Sequence, residues 1–205
     1  MTRILPPETA WQNHVLAYVV RDTRGCDLTP QARLNRFPAN SHCVMTWFLE
    51  GDAELISCGG KADKSHLSGC VVSGCQSAPF SSSNPGAVHA FMVMFYPNAF
   101  HAMFGIDLST LQNRFVDART LMPPHGIALI DAVFAAQSDQ QRRLAVDGFL
   151  LAHAADLPSS VWISLRNVGN RITLALASAM LGVGARQSQR LALRQNGTNL
   201  QTLVR

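Results

Sequence analysis

Arg186, Gln187, Gln189, Arg190 and Arg194 crowd the stretch LGVGARQSQRLALRQNG, which contains no acid. Arginine and glutamine are the side chains that pair with guanine and adenine edges in the DNA major groove. Arginines with no acid beside them also suit phosphate. The same cluster fits a solvated helix face, so its context must decide. Seven histidines and five cysteines raise metal ligation as a second chemistry. Cys70 and Cys75 have four residues between them, with His66 and His89 on either side. Zinc sites favour Cys-x2-Cys or His-x3-His pairs, and cupin enzymes carry His-x-His followed by Glu; none of these occurs here. The spacing therefore argues against a metal, structural or catalytic. A cysteine nucleophile needs a base, yet Cys43 and His42 are adjacent and would point to opposite faces of a strand. SCGGKADK lacks the leading glycine and trailing Ser/Thr of a phosphate loop. These residues point to binding rather than catalysis: no enzyme, no cofactor.

The elements that must position these residues fall into two halves. CVMTWFLEG (43–51) and AELIS (53–57) read as strands joined at Gly51-Asp52, hence as a hairpin. GCVVSG (69–74) reads as a short strand, and SSSNPG (81–86) as a turn. In AVHAFMVMFY (87–96), Val88, Ala90, Met92 and Met94 alternate with His89, Phe91, Val93 and Phe95. Both faces are apolar, so the segment should be a central strand covered on both sides and ended by Pro97. Capping-box patterns at Ser109–Gln112 and Ser138–Gln141 predict helix starts, and PHGIALIDAVFAAQ (124–137) predicts a helix between them. Strands followed by helices make the fold α+β.

Composition divides the chain in the same way. Of 205 residues, 47% are apolar and 15% charged, a globular balance. Residues 1–156 hold 11 Lys/Arg and all 13 Asp/Glu, whereas 157–205 hold six arginines and no acid. That asymmetry suits a polyanionic partner for the second part; a basic, merely solubilising tail is the other reading. DLPSS (156–160) is the expected linker. The expected units are a β-rich sensor at 1–97, a helical dimerisation segment at 98–156 and a DNA-binding region at 157–205. MTRILPPETAW lacks the apolar core of a signal peptide, no apolar run spans a bilayer, and five scattered cysteines suit a reducing compartment. A cytoplasmic location without membrane contact is expected.

A helix-turn-helix needs a small-residue first helix, a tight turn and a second helix with polar residues outward. LALASAML (174–181) supplies the first, and Gly182 stands where a left-handed residue must close it. Gly184 serves as N-cap for a helix from Ala185, with Leu191 and Ala192 inward. ALASAMLGVGARQSQRLALRQNGTNLQTL resembles the first helix-turn-helix of AraC-type transcription regulators: small residue, glycine turn, Gln189-Arg190 late in the reading helix, and Gly197 before the next helix. RDTRGCDLTPQARLNRFPANSHCVMTWFLEG, SGCQSAPFSSSNPGAVHAFMVMFYPNAFHAMFGIDLSTL and Trp162 are similar to the sensor half of one branch of these regulators.

The resemblance implies a cupin-like antiparallel β-barrel, a helical segment that forms a homodimer, and a C-terminal helix-turn-helix on double-stranded DNA. It implies a transcription regulator answering a small-molecule effector. Two departures stand out. Ser188 and Ala192 replace a large apolar residue and an aromatic, each omission costing about 1–3 kcal/mol of burial. The sequence also ends eight residues past Gly197, inside the joining helix, so the second helix-turn-helix is absent from it. A sensor or dimerisation module without DNA binding is the alternative, and a cupin-like metalloprotein the third. Arg36, Trp47, His89 and Phe91 are the candidate effector contacts. For His89 a core histidine with its hydrogen bonds met outweighs a ligand contact, whereas Trp47, Phe91 and Met92 read equally as core or pocket wall.

Overall fold

A computed structural model describes residues 1–153 and 181–203. Two antiparallel sheets face each other, followed by helices. The first comprises β1 (Thr2–Leu5), β2 (Val15–Asp22), β10 (His89–Phe95), β4 (Cys43–Glu50), β8 (Cys70–Ser73) and β11 (Phe115–Asp117), in that spatial order. The second runs β3 (Leu34–Phe37), β9 (Phe80–Ser83), β5 (Ala53–Cys58) and β6 (Lys61–Ala62), with β7 (His66–Leu67) on β5. β10 is central, paired on both edges: Met92 stands opposite Val19 of β2 and Thr46 of β4.

Strand alternation gives the first sheet two different faces. Tyr18, Val20, Met45, Trp47, Phe91, Val93 and Phe95 form one, buried against helices. Those helices are α2 (Pro97–Phe104), α4 (Pro124–Ala135) and α5 (Asp139–Ala152), which contribute Phe100, Phe104, Ile130, Val133, Val146 and Leu150. The opposite face looks onto the second sheet. Short helices α1 (Pro30–Arg33) and α3 (Ala118–Leu121) complete this part. Ser138 caps α5 by accepting from the Gln141 backbone N–H, as its pattern predicts. Pro97 both ends β10 and opens α2, because its fixed φ and missing N–H suit a first helical position.

Three expectations change. β4 and β5 are not a hairpin: each has better partners, and the chain crosses between sheets at Gly51. Gly51 has φ +75°, and a Cβ there would stand 2.2 Å from the Ala87 carbonyl oxygen. Ser81–Ser83 are strand rather than turn, because β9 sits between β3 and β5 and pairs with both. The Ser109 pattern opens no α-helix. Asp107 instead caps a 3-10 turn at Leu108–Leu111, accepting from the Ser109 N–H at 3.0 Å.

At the C-terminal end, α6 (Ala185–Asn196) and α7 (Leu200–Leu203) are described. Gly182 is left-handed, and Gly184 is the extended N-cap of α6. The first helix expected at 174–181, the 156–160 linker and Trp162 lie outside the described residues, save Leu181. Among the described residues no helix is long and apolar enough to cross a membrane.

Candidate functional site

A cavity of about 490 Å³ lies between the two sheets, within the ~300–1,000 Å³ of small-molecule sites. Its floor is the second face of the first sheet, with Val44, Thr46 and Phe48 of β4 and Ala90, Met92 and Met94 of β10. Its roof comes from β3, β5 and β9 of the second sheet, including Leu34, Leu55 and Phe80. Two amides of the wall are engaged by the protein itself. Asn35 Nδ2 donates to Asn84 Oδ1 at 2.9 Å, and Asn84 Nδ2 donates to the Asp52 carbonyl at 2.8 Å.

Two charged residues line the cavity, Arg21 and Arg36, and no acid does. Among the described residues neither forms an ion pair. Arg21 is half-buried, its Nε is closed off from solvent without a partner, and burial lowers the guanidinium pKa. Arg36 is exposed at the rim. Arg33 differs, since its guanidinium is taken up by the Leu28 and Pro85 carbonyls.

Of the four candidate effector contacts, the structure brings only Arg36 to this cavity. Trp47 and Phe91 are fully buried on the helix-facing side, their ring centroids 6.0 Å apart. Their odd positions put them there, because β4 and β10 both turn even residues to the cavity. His89 shares that side and lies 3.2 Å from Asp139 Oδ1 of α5. Asp139 also accepts from Arg142 at 3.0 Å and Arg3 at 2.6 Å, so this cluster ties the helices to the sheet. Arg21 escaped sequence reasoning because β2 was not read as a strand. The signal was present: VLAYVVRD is β-branched and ends on a charged pair.

α6 presents two faces. Arg186, Gln187, Arg190 and Arg194 are exposed, and its arginines form no ion pair among the described residues. Ser188, Ala192 and Asn196, spaced four apart, are buried and the helix packs on α2 and the 3-10 turn. The small side chains of Ser188 and Ala192 thus let α6 approach α2 and the 3-10 turn closely. Gln189 is half-buried, its Oε1 accepting from the Leu200 N–H at 3.0 Å. Cys75 Sγ lies 3.1 Å from the Asn196 carbonyl and 3.2 Å from that of Ser41. The neighbouring Cys75 thiol and burial push the Cys43 thiol well above its usual range. All five cysteines are free, and no group of three or more His, Cys, Asp or Glu among the described residues could hold a metal.

Residues 5–117 match the family model described as "Domain of unknown function (DUF6597)". The chain belongs to the DUF6597 family. The matched span of the DUF6597 chain runs from the end of β1 to β11 and contains both cavity arginines; α6 lies beyond it. No curated protein matches. Among solved structures, apo ToxT from Vibrio cholerae is similar over 91% of this chain and 78% of its own, at 10% identity and a TM-score of 0.45. The AraC-like transcriptional activator CuxR is similar over 98% and 83%, at 12% identity and 0.35. An ethanolamine utilization protein q from Salmonella typhimurium LT2 is similar over 46% and 67%, at 14% identity and 0.32.

Proposed function

We propose that this DUF6597 chain is a transcription-regulator module of the AraC type, without enzymatic activity. A small-molecule effector occupies the cavity, and α6 turns Arg186, Gln187, Arg190 and Arg194 to double-stranded DNA. The observation that carries this reading is the route from one to the other. β10 lines the cavity floor, a single residue (Tyr96) joins it to α2, and α6 is docked on α2. A shift of the cavity floor therefore meets no slack loop before the helix that holds α6. Gln189, engaged with Leu200, fixes the reading helix to α7 rather than meeting DNA directly. Leu144 and Leu151, seven apart on α5, are 59% and 69% exposed and support a homodimer through this helix. Such a regulator works in the cytoplasm.

The experiment is fluorescence anisotropy of the full chain with random and selected duplexes at several salt concentrations. Weak binding near ~10⁻⁴–10⁻⁶ M that falls steeply with salt is expected. Arg194→Ala should weaken all sequences alike and flatten the salt slope, whereas Arg186→Ala, near the helix start, should relax sequence preference. Absence of salt-sensitive binding refutes the DNA reading. It would favour the second reading, a sensor and dimerisation module, which the close docking of α6 on the sheet part also supports.

A further inference from the structure

We propose that the cavity takes an amphipathic carboxylate, its head held by Arg21 under the positive potential of Arg36 and its apolar body laid against Phe48, Leu55 and Met92. This rests on the reading of the cavity as an effector site and names the class of ligand. The argument begins with a charge left unanswered. A half-buried guanidinium in a wall without acids, with no ion pair among the described residues, is costly to keep. The fold meets comparable groups nearby: Asn35 donates to Asn84, Asn84 donates to the Asp52 carbonyl, and two carbonyls take up Arg33. Arg21 and Arg36 are left for something that the chain itself does not supply.

The missing partner must be an acceptor and an anion. A carboxylate fits best, because the planar guanidinium presents parallel donors that match its two oxygens. Beyond the arginines, most of the wall is aliphatic or aromatic, and its Asn35–Asn84 amides are already engaged. A sugar or polyol would bury hydroxyl groups against that surface with few partners. A cation would face two like charges. An apolar body with one anionic head leaves none of these costs unmet.

The test is calorimetric titration of the full chain with decanoate, decanol and decylammonium, three ligands with one body and different heads. Decanoate is expected to bind about tenfold or more tightly than decanol, as a charge-assisted hydrogen bond provides, and decylammonium most weakly. Arg21→Gln is expected to lower decanoate to the level of decanol while decanol binding is retained, which also reports that the cavity is intact. Arg36→Gln, at the exposed rim, is expected to weaken decanoate alone and by less. Equal binding of decanoate and decanol by the unaltered chain overturns the ligand class and leaves the effector reading standing. So does an advantage for decanoate that survives both substitutions. If none of the three ligands binds, the proposed ligand class falls.

Discussion

Two left-handed glycines flank α6, and comparing them measures how firmly that helix is docked. Gly182 has φ +66° and Gly197 φ +65°, so an alanine at either position carries the same backbone penalty, about 1–2 kcal/mol. Their surroundings differ. Around Gly182 an added Cβ meets nothing within 4 Å, whereas at Gly197 it meets Cys75 Sγ at 3.0 Å and Leu108 Cβ at 3.4 Å. The Cys75 sulfur has little room to yield, because the Ser41 and Asn196 carbonyls hold it. Overpacking of this kind costs about 1–3 kcal/mol, which is roughly a 5- to 150-fold change in the opening equilibrium. Native-state hydrogen exchange is the assay. Gly197→Ala should lower protection of α6 amides by that factor beyond the effect of Gly182→Ala, with the β4 and β10 amides unchanged. Adding Cys75→Ala should recover much of the difference, as a double-mutant cycle would register. Equal losses for the two glycine substitutions would refute the docking argument.

Two further outcomes follow from the helix-facing side. The chain should associate with increasing concentration in analytical ultracentrifugation, and Leu144→Lys with Leu151→Lys should abolish this at a stability cost within ~0.5 kcal/mol; a monomer throughout for the unaltered chain counts against a dimer through α5. Tyr18 is buried and donates to Asp147 Oδ1 at 2.5 Å, and burial raises its pKa well above the usual phenol value. Its neutral form is therefore favoured on folding, so that contribution is present below about pH 10 and lost as pH rises beyond it. Spectrophotometric titration should find one tyrosine ionising only with unfolding, and Tyr18→Phe should remove that step.

The alternation in 87–96 was legible because a central strand with two buried faces must repeat every second residue. It identified the two sides without saying which met helices and which met the cavity. In sequence Trp47 and Phe91 are therefore not told apart from Met92, although a sheet with apolar residues on both sides assigns them to opposite compartments. The β4–β5 connection misled for a related reason. Gly51-Asp52 has hairpin chemistry, yet strand pairing is decided by long-range partners such as β10 and β9 that local residues do not encode. The glycine turn and N-cap at 182–184 were legible, since positive φ and chain entry are local properties. The docking of α6 was not. Ser188 and Ala192 register in sequence only as missing bulk, and their meaning as a close-approach surface depends on α2 and the 3-10 turn.

That arrangement divides the helix by its tolerance of change. At Ser188, Ala192 and Gly197 nearly any substitution enlarges a side chain inside a filled joint, so variation there is constrained by sterics. At Arg186, Gln187, Arg190 and Arg194 a new side chain enters open solvent. Mutation can therefore explore the outward face while the joint to the sheets stays as it is. A lineage carrying this helix can revise its outward surface without rebuilding how it is held.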